Sequence, residues 1–253
     1  MKPAESNIVI RECTTLEELA ECVALQREVF ALPEIEISPV RHFIVTRNAG
    51  GFTLGAYNGD ELIGFVLSVP AYLRGERAFY SHMTAVRKEY QGLGIGARLK
   101  WAQRERSLAD NVKYIKWTFE PIKARNAYFN LEKLGAVVRE IAVNFYGTDY
   151  ATSPDQSTGI GLASDRLFAE WELESDKVKK LAAGEPYSET RVAVRSITVP
   201  STDWYDLVAN DVEGALAEQL RVRGEFLSSF EKGHVCRSFE RSETEPKFLL
   251  FEN

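Results

Sequence analysis

The chain has 253 residues, 45% of them hydrophobic, with a formal net charge of -6 and a pI near 5.3. That is enough apolar matter for a sizeable core, in one large domain or two modest ones, and the acidic balance argues against nucleic acid as a partner, because such binders carry a basic stripe. The chain does not open on a charged start with a long apolar run, and no stretch is apolar enough to span a bilayer, so it reads as a cytoplasmic protein with no membrane partner.

The expected elements run as follows. Ile8 to Glu12 is a short strand. Thr15-x-x-Glu18 is a capping box, in which a hydroxyl and a carboxylate satisfy the N–H groups that a helix start leaves open, and the amphipathic pattern behind it carries the helix to about Phe30. Pro33 and Pro39 break the chain, a brief helix follows to Arg47, and Asn48-Ala49-Gly50-Gly51 turns. Phe52 to Tyr57 and Leu62 to Tyr72 are strands joined at Asn58-Gly59-Asp60, residues that accept the left-handed conformations of a tight hairpin. Phe79 to Val86 is the next strand, with Phe79, Ser81, Met83 and Ala85 alternating against Tyr80, His82, Thr84 and Val86. Ile95, Leu99, Ala102 and Ala109 recur at helical spacing, and Tyr114 to Phe119 is a further strand. Beyond Gly147, Tyr150 to Ser164 is a long polar loop or linker. Asp165 to Leu173 then alternates as a half-buried strand, Arg191 to Val199 is another strand, Asp211 to Phe230 a helix and Lys247 to Phe251 a final strand.

The chemistry concentrates between the strand ending at Val86 and the helix opening near Ile95. Glycines at 92, 94 and 96 permit a tight turn and a close approach by a ligand, while the helix start presents open N–H groups and a positive dipole end; a pyrophosphate fits there. Gly92-x-Gly94-x-x-Ala97 also satisfies the dinucleotide-binding fingerprint, with Glu120 as its ribose-binding acid. That match is superficial, because in such folds the hydrophobic strand runs directly into the first glycine, whereas Arg87 to Gln91 intervene here.

The other reading of the loop is Gln91-x-x-Gly94-x-Gly96. Together with Met83-Thr84-Ala85-Val86 before it and Asn126-Ala127 with Leu131-Glu132-Lys133-Leu134-Gly135-Ala136 after it, the segment from 78 to 147 resembles the GNAT superfamily of acyl-CoA-dependent N-acyltransferases. The resemblance implies an α/β (α+β) fold, a mixed and mostly antiparallel sheet flanked by helices. Residues 1–150 are then the acyl-CoA-binding catalytic domain, and 151–253 an α+β extension packed on it that helps form the acceptor pocket. Its acyl donor is acetyl-CoA or another acyl-CoA such as succinyl-CoA, and its acceptor a small-molecule amine, an amino acid among them. By the same resemblance the main chain of Gln91, Gly92, Leu93, Gly94, Ile95, Gly96 and Ala97 holds the pyrophosphate. Thr84, Ala85 and Val86 pair with the pantetheine arm, an N–H within Met83 to Ala85 serves the oxyanion, and Asn126 touches the pantetheine; read from its own position, Asn126 is equally a helix cap.

Proton transfer is less legible. His82 titrates near neutrality and lies on the strand that borders the thioester in the family, though a strand histidine is also a packing residue. Tyr80 falls on the same face and could contact substrate through a water. Glu120 could accept a proton through a water, or simply cap the following helix. Many relatives protonate the departing thiolate with a tyrosine where this chain has Leu131, which continues the apolar stripe Ala127, Leu131, Leu134; Tyr146 and Tyr128 are the substitutes at hand. Arg166, with Arg221 and Arg223, could pair with a carboxylate of an amino-acid acceptor or a succinyl donor. Cys13, Cys22 and Cys236 lack paired spacing and His42, His82 and His234 are scattered, so no metal site is expected. A homodimer stays open, and a CoA-binding sensor or scaffold without catalysis is the alternative class.

Overall fold

A computed structural model describes residues 8–30, 32–150 and 160–253. The described residues up to Lys116 form one compact unit and those from Trp117 onward a second.

The first unit is built from β1 (Ile8–Glu12), α1 (Leu16–Val29), α2 (Val40–Asn48), β2 (Phe52–Asn58), β3 (Glu61–Leu73), β4 (Glu76–Val86), α3 (Ile95–Ala109) and the opening of β5 (Tyr114–Phe119). Its strands lie in the order β1-β2-β3-β4-β5, antiparallel from β1 to β4, with β5 parallel to β4. The capping box forms as the sequence predicts: the Thr15 hydroxyl accepts the Glu18 N–H at 3.2 Å and the Glu18 carboxylate accepts the Thr15 N–H at 3.0 Å. The apolar stripe behind that cap, Leu19, Cys22, Val23 and Leu25, is buried with Phe43 of α2 against Phe65, Leu67 and Ala85 of the sheet. Each fully buried leucine or phenylalanine there contributes about 1.5–3 kcal/mol. The other sheet face meets α3, where the contact is polar: Lys100 donates to the Ser81 hydroxyl at 3.0 Å, and Gln103 to that of Ser68 at 2.7 Å.

The second unit continues β5 and adds α4 (Ala124–Tyr128), a π-helical turn over Phe129–Lys133, β6 (Val137–Ala142), β7 (Arg166–Glu172), α5 (Asp176–Ala182), β8 (Arg195–Thr198), α6 (Trp204–Asn210), α7 (Val212–Glu231), β9 (Val235–Glu240) and β10 (Lys247–Phe251). Here the strand order is β5-β7-β6-β9-β10-β8. The loop expected over Tyr150 to Ser164 lies largely outside the described residues. Two expectations change. The strand expected to be half buried has both faces covered: Leu167, Ala169 and Trp171 are buried on one side, Arg166 and Glu170 on the other. Its polar face escapes water because Arg139 pairs with Glu170, and Arg166 reaches Glu120 at 3.6 Å. The strand expected from Arg191 to Val199 shrinks to Arg195–Thr198, the stretch that pairs with β10. Trp171 anchors this unit, donating from its indole to the Leu134 carbonyl at 2.6 Å and meeting Trp117 edge to face at 5.9 Å. Among the described residues no helix is long and apolar enough to cross a membrane.

Candidate functional site

The glycine loop turns the chain from β4 into α3. Lys88 to Tyr90 make one 3₁₀ turn, Gly92 and Gly94 take φ of +81° and +76°, and Gly94 becomes the left-handed N-cap of α3. Only glycine adopts that conformation without strain. No side chain caps the helix, so the N–H groups of its first turn remain open to an anion. A Cβ placed on Gly92, Gly94 or Gly96 would meet no atom within 4 Å, so the space beside them is open and not filled by internal packing. The loop is braced from behind: Gln91 donates its side-chain amide to the Val86 carbonyl at 2.9 Å, and the buried Tyr90 shares its hydroxyl with Asn58 at 3.1 Å and Glu61 at 3.3 Å. Gln91 thus holds the loop to the end of β4 through its side chain.

On β4 the pairing with β5 covers Ala78 to Tyr80, and the strand runs on to Val86. Beyond Tyr80 that edge of β4 has no ladder partner among the described residues, leaving main-chain groups of Met83, Thr84, Ala85 and Val86 available to an extended ligand. The other edge carries a feature that alternation does not predict. Leu67 faces Met83 and Ser68 faces Ser81, so His82 is an extra, bulged residue. The bulge slips the phase of the strand: Ser81 points to α3, whereas Met83 and Ala85 join the core under α1 and α2. The expectation that Phe79, Ser81, Met83 and Ala85 share a face is corrected by that single residue. Tyr80 pairs with Val69, which packs on the α1–α2 side, and so does lie on the His82 side.

The His82 ring stacks on His42 of α2, with centroids 5.5 Å apart and planes 8° off parallel, and its Nε2 lies 3.3 Å from the Ser38 hydroxyl. Protein crowding around the ring, then the charge of His42, pushes its pKa down to about 4, although part of the side chain meets solvent. Crowding and the charge of His42 thus pull His82 below the near-neutral titration that its residue type suggests. Ser38 and His42 are neighbours that the sequence did not connect to it. They lie some forty residues upstream, and no local pattern ties α2 to β4.

The remaining sequence-derived residues belong to the second unit. Glu120 is held by Lys123 at 2.8 Å and faces Arg166 at 3.6 Å. It does not cap α4, whose N-cap is Lys123. Arg166 is only 8% exposed; its guanidinium lies 5.0 Å over the Tyr146 ring and 5.7 Å over the Tyr150 ring, and its buried Nε has no hydrogen-bond partner. Tyr146 stays open to solvent, with its hydroxyl 3.3 Å from Thr118 and its ring stacked on Tyr150 at 4.6 Å. Arg166, Glu120, Tyr150 and Tyr205 line a cavity of about 70 Å³, the size of a carboxylate-bearing group. Lys123 donates to Tyr205 beside it. Arg223 and Arg221 are spent elsewhere: Arg223 pairs with the buried Asp165 at 2.7 Å, and Arg221 with Glu218 and Glu225. Asn126 sits in the first turn of α4 and is not its cap. Leu131 is buried with Ala127 and Leu134, and so belongs to the core. Tyr128 lies under Arg241 at 4.6 Å.

Residues 16–135 match the model of the "Acetyltransferase (GNAT) family". No curated protein matches the chain by sequence. Among solved structures, a GNAT-family protein from Desulfovibrio desulfuricans is 15% identical with a TM-score of 0.52, covering 66% of this chain and 99% of its own. An N-acetyltransferase from Staphylococcus aureus Mu50 is 14% identical with a TM-score of 0.51, covering 67% and 100%. A chain of the NatC complex, bound there to a Gag peptide and CoA, is 16% identical with a TM-score of 0.51, covering 66% and 99%.

Proposed function

We propose that the protein, whose residues 16–135 match the model of the GNAT acetyltransferase family, transfers an acyl group, acetyl in the simplest case, from a CoA thioester to a primary amine of a small molecule. The observation that carries the reading is the uncapped start of α3 behind Gly92, Gly94 and Gly96, with open space where side chains would otherwise stand. Backbone N–H groups from Gly92 to Ala97 hold the pyrophosphate, the free edge of β4 from Met83 to Val86 takes the pantetheine amides, and a donor on that edge stabilises the oxyanion. The amine nitrogen attacks the thioester carbon directly, forming a C–N bond as the C–S bond breaks and the thiolate leaves, and the nitrogen sheds one proton.

In this reading His82, neutral at working pH, accepts a hydrogen bond from the amine and orients it. With its pKa near 4 it deprotonates an ammonium only feebly, so the minor, uncharged fraction of the amine is the form that reacts, and the proton it sheds on attack goes to the departing thiolate or to water. Tyr80 lies on the same side of the strand as a contact for the acceptor. An amino acid suits the Arg166 cavity, since a guanidinium with an unpaired Nε matches a carboxylate oxygen. One observation favours a second reading, a CoA-binding module without turnover: the family's tyrosine is replaced by the core residue Leu131. The two separate in one screen, in which thiol release from acetyl-CoA and succinyl-CoA is followed with a dye across primary amines with and without a carboxylate. Acceptor-dependent release, reduced by His82→Ala more than acetyl-CoA binding is weakened, supports the enzyme. Tight acetyl-CoA binding with no acceptor-dependent release in the full panel supports the module.

A further inference from the structure

Gln26 is a polar residue in apolar company. It lies on the stripe of α1 that carries Leu19, Cys22, Val23 and Leu25 into the core of the first unit, and it is fully buried. An amide in such a place costs free energy unless both of its ends are bonded. Both go to one residue: Nε2 donates to the Ser38 carbonyl at 3.0 Å, and Oε1 accepts the Ser38 N–H at 3.0 Å. That reciprocal pair fixes the main chain of Ser38 in the irregular stretch between a 3₁₀ turn at Glu34–Glu36 and α2. It asks nothing of the side chain at position 38, since every residue but proline offers the same N–H and carbonyl.

The Ser38 side chain is therefore free for another task. Ser38 is buried, and a buried hydroxyl needs a partner; among the described residues its partner is His82 Nε2 at 3.3 Å. His42 lies against the face of the same ring. The imidazole is thus held at one nitrogen and on one face, and Nδ1 is the nitrogen left to a ligand. Which nitrogen carries the proton is set by the bond that the other makes. To accept a hydrogen bond from an amine, Nδ1 must be bare, so the proton belongs on Nε2 and is donated to the Ser38 oxygen, because a hydroxyl can accept as well as donate.

We propose that Ser38 and Gln26 are positioning residues for His82: Gln26 fixes the Ser38 main chain, and the Ser38 oxygen holds the ring proton on Nε2, leaving Nδ1 bare for the acceptor amine. The use made of Nδ1 rests on the acyl-transfer reading; the place of the proton does not. Nitrogen NMR of the full chain labelled with nitrogen-15 histidine reads that place, at about pH 8 where an ordinary imidazole is neutral, with the His82 signals assigned by their loss in His82→Ala. The wild-type proton is expected on Nε2. It divides between the two nitrogens in Ser38→Ala and in Gln26→Met, and returns to Nε2 in Ser38→Thr. For an acceptor that is turned over, kcat/KM falls about threefold to tenfold in Ser38→Ala, as the loss of one hydrogen bond implies, and recovers in Ser38→Thr. A wild-type proton on Nδ1, a ring spectrum that Ser38→Ala or Gln26→Met leaves unchanged, or an unchanged kcat/KM in Ser38→Ala overturns the proposal. Where no acceptor is turned over, the acyl-transfer reading fails and the ring spectra still decide what Ser38 holds. Ser38→Ala keeps the Gln26 clamp, and the wild-type spectrum decides even where a variant does not fold.

Discussion

Replacing Gly96 by alanine separates a phosphate cradle from a structural turn. Gly96 is the second residue of α3, its φ is not in the left-handed region, and an added Cβ would touch nothing within 4 Å. Without ligand the substitution only removes unfolded-chain entropy and improves helix propensity, a gain of about 0.4–1 kcal/mol. For a chain of this size that raises Tm by roughly 1–4 °C. With ligand, the methyl enters the space that phosphate oxygens must occupy to reach the first-turn N–H groups. Displacing them by an atom's radius weakens acetyl-CoA binding tenfold or more, about 1.4 kcal/mol. Gly94→Ala is the control with opposite sign in stability: at φ +76° an alanine costs about 1–2 kcal/mol, so Tm falls together with affinity. Thermal melts and calorimetric titration with acetyl-CoA read both quantities. A Gly96→Ala protein that is stabilised yet binds acetyl-CoA as tightly as wild type would refute the placement of the phosphates at this helix start.

Three further outcomes are expected. Trp171→Phe removes the indole donor from the buried Leu134 carbonyl and opens space beside Trp117, lowering stability in urea unfolding by about 2–4 kcal/mol; a loss under 1 kcal/mol would contradict its anchoring role. Burial raises the pKa of Glu18, but the Thr15 and Thr14 N–H groups and Arg11 outweigh it and hold the carboxyl at about 2, below the ordinary 4.5. Its contribution is therefore present above pH 4.5 and lost as pH falls through 2, so the stability gap between wild type and Glu18→Ala closes over that interval, and a gap that persists at pH 2 refutes the capping role. The His82 ring titrates near pH 4 by NMR and moves up toward 6.5 in His42→Ala, which removes both crowding and charge; a wild-type value near 6.5 would restore His82 as a base of ordinary strength.

Much of the fold was legible because its signals are local. The capping box, the Asn58-Gly59-Asp60 turn and the glycine loop each fix a backbone conformation within a few residues, and each forms where the pattern puts it. β7 was placed correctly and its environment misread: alternation predicts one buried face, and only the tertiary partners Arg139 and Glu120 explain how Arg166 and Glu170 are buried on the other. β9 was missed because Cys236, Arg237 and Ser238 break any period-two pattern, and the short helices α5 and α6 because seven residues carry too little periodicity.

What the sequence did not show at His82 is the direction of its side chain, and a bulge is the cause. A bulge adds a single residue to a strand, and it costs the sequence nothing that a period-two reading can detect, since apolar and polar residues still alternate on either side of the slip. Yet at His82 it sends Met83 and Ala85 to the helix-covered core while the imidazole turns toward Ser38 and His42, and in β9 it falls on Arg237, whose guanidinium lines a cavity together with Glu170, Glu172, Asp176 and Glu189. Deleting His82 tests the proposed role of that bulge: a register restored without it keeps the sheet hydrogen bonds and removes the acceptor-dependent turnover proposed above, whereas a chain that loses the sheet instead would show the bulge to be a requirement of packing.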